Sequence, residues 1–210
     1  MIALLIKALL AYLLGSVSGS MVVGSFRQVD IRNSGSGNAG ATNAFRTQGP
    51  WFALAVVVID IGKGALAAWL FPHFEITLPG EQVSMEIQML VCGFAAVIGH
   101  CYPVWHGFRG GKGAATAVGA LAVIEPIVLL PIIATWLIVL VLTGWVGLAT
   151  MLAAVCLVPA FIWLDVSQPA LWISVLMVVF IIFTHRSNIV NMLNGSEYKF
   201  QRIRIVNWFR

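Results

Sequence analysis

Residues 51–71 read WFALAVVVIDIGKGALAAWLF, a run from Trp51 to Phe71 in which only Asp60 and Lys63 carry charge. As helix, about 20 such residues rise roughly 30 Å, the thickness of a bilayer's hydrocarbon core. The run is read as a membrane span. Comparable runs lie outward from it at Ile2 to Gly24, Met85 to Trp105, Gly113 to Ile124, Pro126 to Thr143, Val146 to Leu164 and Pro169 to Thr184. The whole composition agrees: of 210 residues, 60% are apolar and 10% charged, against about 45–50% and about 25% in soluble domains. A soluble globule is excluded, and a mean hydropathy of +0.95 makes lipid the main solvent. Seven spans use roughly 140 residues and leave about 70 for chemistry.

The expected fold is therefore all-α: a polytopic membrane bundle of seven transmembrane helices forming one domain over residues 1–210. The weakest span is Gly113 to Ile124. Merging it with the next would put Glu125 and Pro126 in mid-membrane, a carboxylate beside a missing backbone donor, so a turn at the surface costs less. Lys and Arg are retained on the cytoplasmic side. Arg27, Arg32, Arg46, Arg109, Lys112, Arg186, Lys199, Arg202, Arg204 and Arg210 fall on one side under seven spans, and Glu75, Glu81, Glu86, Glu125 and Asp165 on the other. That places the N-terminus outside and the C-terminus in the cytoplasm. Lys7 lies inside the first run, which argues for a retained anchor rather than a cleaved signal, and its ammonium is expected to snorkel to the outer interface. Cys92, Cys101 and Cys156 lack metal or disulfide spacing and read as small core residues. GSVSG, with Gly15 and Gly19 at GxxxG spacing, reads as helix packing.

Three polar, glycine-rich stretches interrupt this frame. The first, DIRNSGSGNAGATNAFR from Asp30 to Arg46, contains GxGxxG at Gly35, Gly37 and Gly40. The dinucleotide fingerprint needs a preceding strand, and a membrane helix precedes this one, so that reading fails. What remains is a phosphate cradle: glycine backbone amides, hydroxyl donors and an arginine clamp. The second, DIGKG, sets Asp60 and Lys63 on one helical face. They either pair with each other or face a polar cavity, since an isolated charge at the bilayer centre costs about 2.5–3.5 kcal/mol even on the milder scale. The third, GHCYPVWHGFRGGKGAAT from Gly99 to Thr116, ends one helix at Pro103 and feeds glycines around Lys112 into the next. A helix N-terminus fed by glycines is an anion site. It departs from a Walker A loop, because Gly113 follows Lys112. Nucleic acid is disfavoured as a partner, since the basic residues are not interleaved with exposed aromatics. A small phosphorylated substrate fits better.

GSGNAGATNAFR, DIGKG and GHxxPVWxxFRGGKGAAT, followed by THRSNI, closely resemble the bacterial membrane-integral glycerol-3-phosphate acyltransferases that use acyl phosphate as donor. The resemblance runs through nearly the whole chain, in order. It implies transfer of a fatty acyl group to position 1 of glycerol 3-phosphate, giving lysophosphatidic acid and phosphate at a cytoplasm-facing site of the inner membrane. It implies no metal and no cofactor, and makes the enzyme that produces acyl phosphate a plausible partner. By the same resemblance Ser36 and Arg46 are the hydroxyl and clamp of the first motif, with Asn38, Thr42 and Asn43 beside them. Lys63 and Gly64 belong to a second, associated with glycerol 3-phosphate. His100, Lys112 and Gly113 match a third, and His185 and Asn188 a late polar pair. Glu197 lies in a similar tail, and Thr150 stands where relatives often have serine.

The expected catalytic set is Ser36, Lys112, His185 and Asn188; the expected substrate-binding set is Arg46, Asn38, Thr42, Asn43, Lys63, Gly64, His100, Gly113 and Thr150. Arg46 and Lys112 would neutralise the two anions, and His185 or a substrate phosphate oxygen would take the attacking hydroxyl's proton. Ser36 and Asn188 would donate to the developing oxyanion. For His185 the competing reading is a helix-end histidine bonded to a terminal carbonyl. His100 suits substrate contact or bracing of the first loop. The His-Asp dyad of other glycerolipid acyltransferases is missing, because Leu78, Trp105, Gly111 and Val190 stand five residues after the four histidines. The alternative class is a transporter for an organic phosphate, which would favour broken helices at the midplane and inverted repeats.

Overall fold

Among residues 1–76, 83–201 and 204, which the computed structural model describes, every regular element is helical. Glu81, Arg202 and Arg210, used above for orientation, lie outside them. The chain divides into two compact units, Met1–Glu125 and Pro126–Arg210.

The first unit comprises α1 (Ile2–Gly15), α2 (Gly19–Arg27), α3 (Ala41–Gln48), α4 (Pro50–Leu70), α5 (Met85–Cys101) and α6 (Ala114–Ile124). Helix α4 is its axis, packed against α1, α2, α3, α5 and α6. Pro50 opens it at the first helical turn, where a missing N–H costs nothing. Two crossings depend on glycine. A Cβ on Gly64 would strike the Thr116 backbone and one on Gly119 the Ile61 backbone, so α4 and α6 touch main chain to main chain; Gly15 and Gly99 do the same for α1 and α5. The reading of GSVSG as packing thus holds at Gly15. The stretch also breaks the helix, however, which the apolar run to Gly24 had not suggested. Lys7 departs from expectation as well. It is 6% exposed and donates to the Pro72 carbonyl at 2.9 Å and Gln88 Oε1 at 2.7 Å. Its charge is met inside the bundle because the chain turns at Phe71–His73 and offers it a carbonyl.

The second unit comprises α7 (Leu129–Thr143), α8 (Val146–Val155), α9 (Leu157–Trp163), α10 (Gln168–Thr184) and α11 (Arg186–Leu193). The break expected at Glu125 and Pro126 is present, since α6 ends there and a 3-10 turn precedes α7. The run from Val146 to Leu164 divides at Cys156, and Pro159 supplies the cause: it cannot donate to the carbonyl four residues back. Helix α10 bends by 49° into α11.

Among the described residues, five segments are long and apolar enough to cross a membrane: Ile2–Arg27, Pro50–His73, Met85–His106, Pro126–Thr143 and Val146–Trp163. Counting the bent α10–α11 pair as one span makes six. Seven is not reached by length, because the 11 residues of α6 rise only about 16 Å. Leu5, Trp69, Leu130, Trp163 and Leu176 are each more than half exposed, as helices solvated by lipid require.

Gly64→Val will force α4 away from α6 and cost about 1–3 kcal/mol, whereas Gly62, with open space where its Cβ would stand, accepts alanine with no loss. Thermal unfolding in detergent, followed by labelling of the buried Cys92 and Cys101 thiols, separates the two. Equal midpoints for both variants would contradict the crossing.

Candidate active site

The first polar loop is built on two side chains. Asp30 Oδ1 caps the 3-10 turn Ile31–Asn33 by accepting the Arg32 N–H at 2.9 Å. The Arg32 guanidinium forks back onto the same carboxylate, with Nη2 2.7 Å from Oδ2, and donates through Nη1 to the His106 and Arg109 carbonyls at 3.0 and 3.3 Å. The hydrogen bonds from Arg32 hold the Asp30 carboxyl below its ordinary range, against the opposing effect of burial. This contribution to the loop is present above the ordinary Asp value and is lost only as pH falls through the depressed one. Asn43, the second anchor, is fully buried. Its Nδ2 donates to the Ile31, Ser34 and Asn38 carbonyls, each at 3.0 Å, and its Oδ1 accepts the Ser36 N–H at 3.0 Å. With both ends of the amide spent inside the loop, Asn43 shapes it and presents no surface to a substrate.

The loop so held exposes Ser36, and Arg46 Nη2 reaches its Oγ at 3.4 Å. Asn38 contributes its carbonyl to Asn43, while Thr42 sits half-buried in the first turn of α3. The third stretch is tied to the same place. The Ala39 N–H donates to the Gly110 carbonyl at 3.4 Å, and the Gly110 and Gly111 amides cap the Cys101 and His100 carbonyls at the end of α5, at 3.2 and 3.1 Å. Gly113 then adopts φ +88°, which L side chains rarely accept, and becomes the N-cap of α6. Half-buried Lys112 immediately precedes it. The unbonded amides of the first turn of α6 thus open beside a lysine, a ready anion site.

Lys63 and His100 lie behind this turn, enclosed between helices and 5% and 4% exposed. Lys63 Nζ stands 2.8 Å from Asp60 Oδ1, 2.7 Å from the Val17 carbonyl and 2.8 Å from His100 Nδ1. Asp60 Oδ1 also accepts the Gly19 N–H at 3.1 Å. Of the two readings of DIGKG, pairing is the one observed. Gly64 is used for the α4–α6 crossing.

In the second unit His185 joins α10 to α11 and is 5% exposed. Its Nδ1 donates to the Ile181 carbonyl at 2.8 Å, the helix-end bond of the competing reading. Asn188 follows one turn later, its N–H on the His185 carbonyl at 2.9 Å. Its Nδ2 donates to Glu197 Oε1 at 2.7 Å, and Gly147 lies beneath its side chain, where any Cβ would collide. Thr150, on α8, accepts the Trp136 indole N–H at 3.2 Å. The tail is fastened by the Phe200 N–H on the Gly144 carbonyl at 2.9 Å and by Lys199 over the Trp145 ring at 4.6 Å.

The structure thus gathers Ser36, Arg46, Asn38 and Thr42 with the Gly110–Gly113 turn in one unit, and His185 with Asn188 in the other. The sequence reading missed Asp30 with Arg32 as the clasp between first and third stretches; an acid and a base two residues apart, opening a glycine-rich loop, was the available signal. It also missed Val17 and Gly19, which act through backbone atoms and carry no such mark.

Helices dressed for lipid, with a glycine turn that sets helix amides beside a lysine, define an integral-membrane protein with a face suited to phosphorylated compounds. Residues 5–195 match the glycerol-3-phosphate acyltransferase family model, and the chain belongs to this family of membrane acyltransferases, which places it in phospholipid biosynthesis. It is 39% identical over 211 residues to the glycerol-3-phosphate acyltransferase of Bacillus velezensis, covering 100% of both chains. To that of Geobacillus kaustophilus it is 40% identical over 192 residues, covering 91% of this chain and 93% of the other. The crystal structure of PlsY (YgiH), an integral membrane glycerol 3-phosphate acyltransferase, in its glycerol 3-phosphate form superposes with a TM-score of 0.82 at 32% identity, over 94% of this chain and 95% of that one. The lysophosphatidic acid form of PlsY gives 0.80 at 31% identity, with the same coverage.

Asn43→Ala will leave three carbonyls and the Ser36 amide without their partner, at about 1–3 kcal/mol for each group that water cannot reach. Hydrogen exchange should quicken across residues 31–43 while the α4–α6 core keeps its protection. Unchanged exchange at Ser36 would show that Asn43 does not hold the loop.

Proposed function

We propose that this chain transfers a fatty acyl group from acyl phosphate to the position-1 hydroxyl of glycerol 3-phosphate, releasing lysophosphatidic acid and inorganic phosphate. The observation that carries the reading is the Gly110–Gly113 turn, which delivers Lys112 and the amides of α6 to the same loop that exposes Ser36 and Arg46. Two phosphorylated substrates repel each other, and a basic pocket with preset backbone donors offsets that repulsion while fixing the attack geometry. Arg46 and Lys112 neutralise the anions, with Asn38, Thr42 and Gly113 completing the contacts.

The substrate hydroxyl oxygen attacks the acyl carbon directly, the bond from that carbon to the phosphate oxygen breaks, and phosphate leaves with the electron pair. Acyl phosphate is a mixed anhydride, so no enzyme nucleophile is needed. The proton goes to His185 Nε2, or to a substrate phosphate oxygen, and Ser36 and Asn188 donate to the oxyanion. Lys and Arg retention supports seven crossings, with α6 as the short one, the N-terminus outside and the motifs facing the cytoplasm of the inner membrane. The enzyme that makes acyl phosphate is the proposed partner on that face.

Purified protein should release phosphate from palmitoyl phosphate only when glycerol 3-phosphate is present, and should not use palmitoyl-CoA. Lys112→Ala should lower kcat/KM by about 100-fold or more, and His185→Ala by about 100-fold. Activity with the thioester alone, or an acyl group trapped covalently on a serine or cysteine, would overturn the donor or the direct attack respectively. Movement of glycerol 3-phosphate across liposomes without phosphate release would favour the transporter.

A further inference from the structure

Lys63 has three N–H donors as an ammonium, and three acceptors surround it: Asp60 Oδ1, the Val17 carbonyl and His100 Nδ1, all within 2.8 Å. No donor remains for a phosphate. An ammonium can only donate, so toward Lys63 at 2.8 Å His100 Nδ1 accepts and the neutral ring carries its proton on Nε2; the competing arrangement, an Nδ1–H donated to Asp60 Oδ1, has the longer contact of 3.4 Å. That edge abuts Gly111, where an added Cβ would collide with His100 Nε2. The His100 carbonyl meanwhile holds the Gly111 amide at 3.1 Å. The turn bearing Lys112 is therefore braced on both the backbone and the ring of one residue, and that ring is set by an ion pair one helix away.

The anchor beneath is equally determined. Asp60 Oδ1 receives Lys63 at 2.8 Å and the Gly19 N–H at 3.1 Å, and the carbonyl of Val17 comes from the same interruption between α1 and α2. A helix break within an apolar run leaves backbone groups that must find partners, and the Asp60–Lys63 pair provides one of each sign.

We infer that Asp60, Lys63 and His100 form a positioning relay, in which Lys63 touches no substrate but fixes the His100 ring, with Nε2 protonated, against the Gly110–Gly113 turn so that Lys112 and the α6 amides are held for the anion. Lys63 and His100 are thus positioning residues for glycerol 3-phosphate binding. The kinetic consequence rests on the acyltransferase reading above; the tautomer does not.

The test has two arms. Protein labelled with 15N-histidine, in detergent at neutral pH, contains four histidines, and His100→Gln assigns the resonance. His100 should show the Nε2–H tautomer, opposite to His185, and Lys63→Met should abolish that pattern. An Nδ1–H tautomer at His100 would overturn the relay whatever the enzyme's substrates are. In the kinetic arm, Lys63→Met and His100→Ala should each raise KM for glycerol 3-phosphate about tenfold or more, with kcat changed far less. The double variant should be no worse than the more damaging single one, because both act through one path. Multiplying effects would make Lys63 a direct ligand and sink the proposal. Asp60→Asn/Lys63→Met, which removes both buried charges, should recover the wild-type unfolding midpoint yet keep the raised KM. Recovery of KM together with the midpoint, or a KM unchanged in the single variants, would reduce the cluster to a structural ion pair and overturn the relay.

Discussion

A carboxylate and an ammonium enclosed between apolar helices cannot be left unmatched, and much of the first unit follows from how Asp60 and Lys63 are matched. Moving either alone into a low-dielectric interior would cost several kcal/mol. Their mutual contact at 2.8 Å removes only part of that, since the remaining lone pairs and protons still need partners. The partners come from two elements: the break at Ser16–Ser18, which offers the Val17 carbonyl and the Gly19 amide, and the end of α5, which offers His100. One ion pair therefore fixes α4 to the helix break and to the last turn of α5. Close approach at the glycine crossings then draws α6 against α4, and the turn that begins α6 inherits its position from the pair.

This arrangement separates the groups that bear cost from those proposed to do chemistry. The buried charges, Asp60 and Lys63, are 1% and 5% exposed, whereas Ser36 is exposed and Arg46 and Lys112 are half-buried on the loops they organise. Flexible polar loops ordinarily gain little from a few hydrogen bonds, because ordering each residue's backbone costs about 1–2 kcal/mol. The Asp30–Arg32 clasp and the four bonds of Asn43 offset that cost locally. A loop stiffened in this way keeps its donors aimed without having to reorganise when an anion arrives.

The spans and the glycine stretches were legible because they depend on composition and local periodicity. A run such as Trp51 to Phe71 admits no other solvent, and Glu125–Pro126 announced its own turn through a missing donor. The break at Ser16–Ser18 was hidden, since its residues are small and tolerated within a membrane helix, and what stabilises it is a pair of charges about forty residues away in the chain. Lys7 was misread for a related reason: snorkelling is the default for an isolated lysine, and only the fold reveals that the Pro72 carbonyl and Gln88 lie within reach. The roles of Asn43, Lys63 and Gly64 were blurred by motif spacing, which shows that residues act together without distinguishing the one that touches ligand from the one that shapes the loop.

That distinction bears on the chemistry. On the proposed reading an acyl phosphate brings its own leaving group, so the enzyme's contribution would be the holding of two anions at a fixed separation. Such a site has little use for a reactive side chain and much use for stiffness, because a misplacement of about 1 Å forfeits on the order of 100-fold in rate. Membrane helices supply that stiffness when their backbones touch, as α4 and α6 do, and when their charges are paired within the bundle. The same Asp and Lys that make residues 51–71 an imperfect membrane span are then what an anion-holding site requires, since they connect the rigid apolar frame to the one turn that must not move.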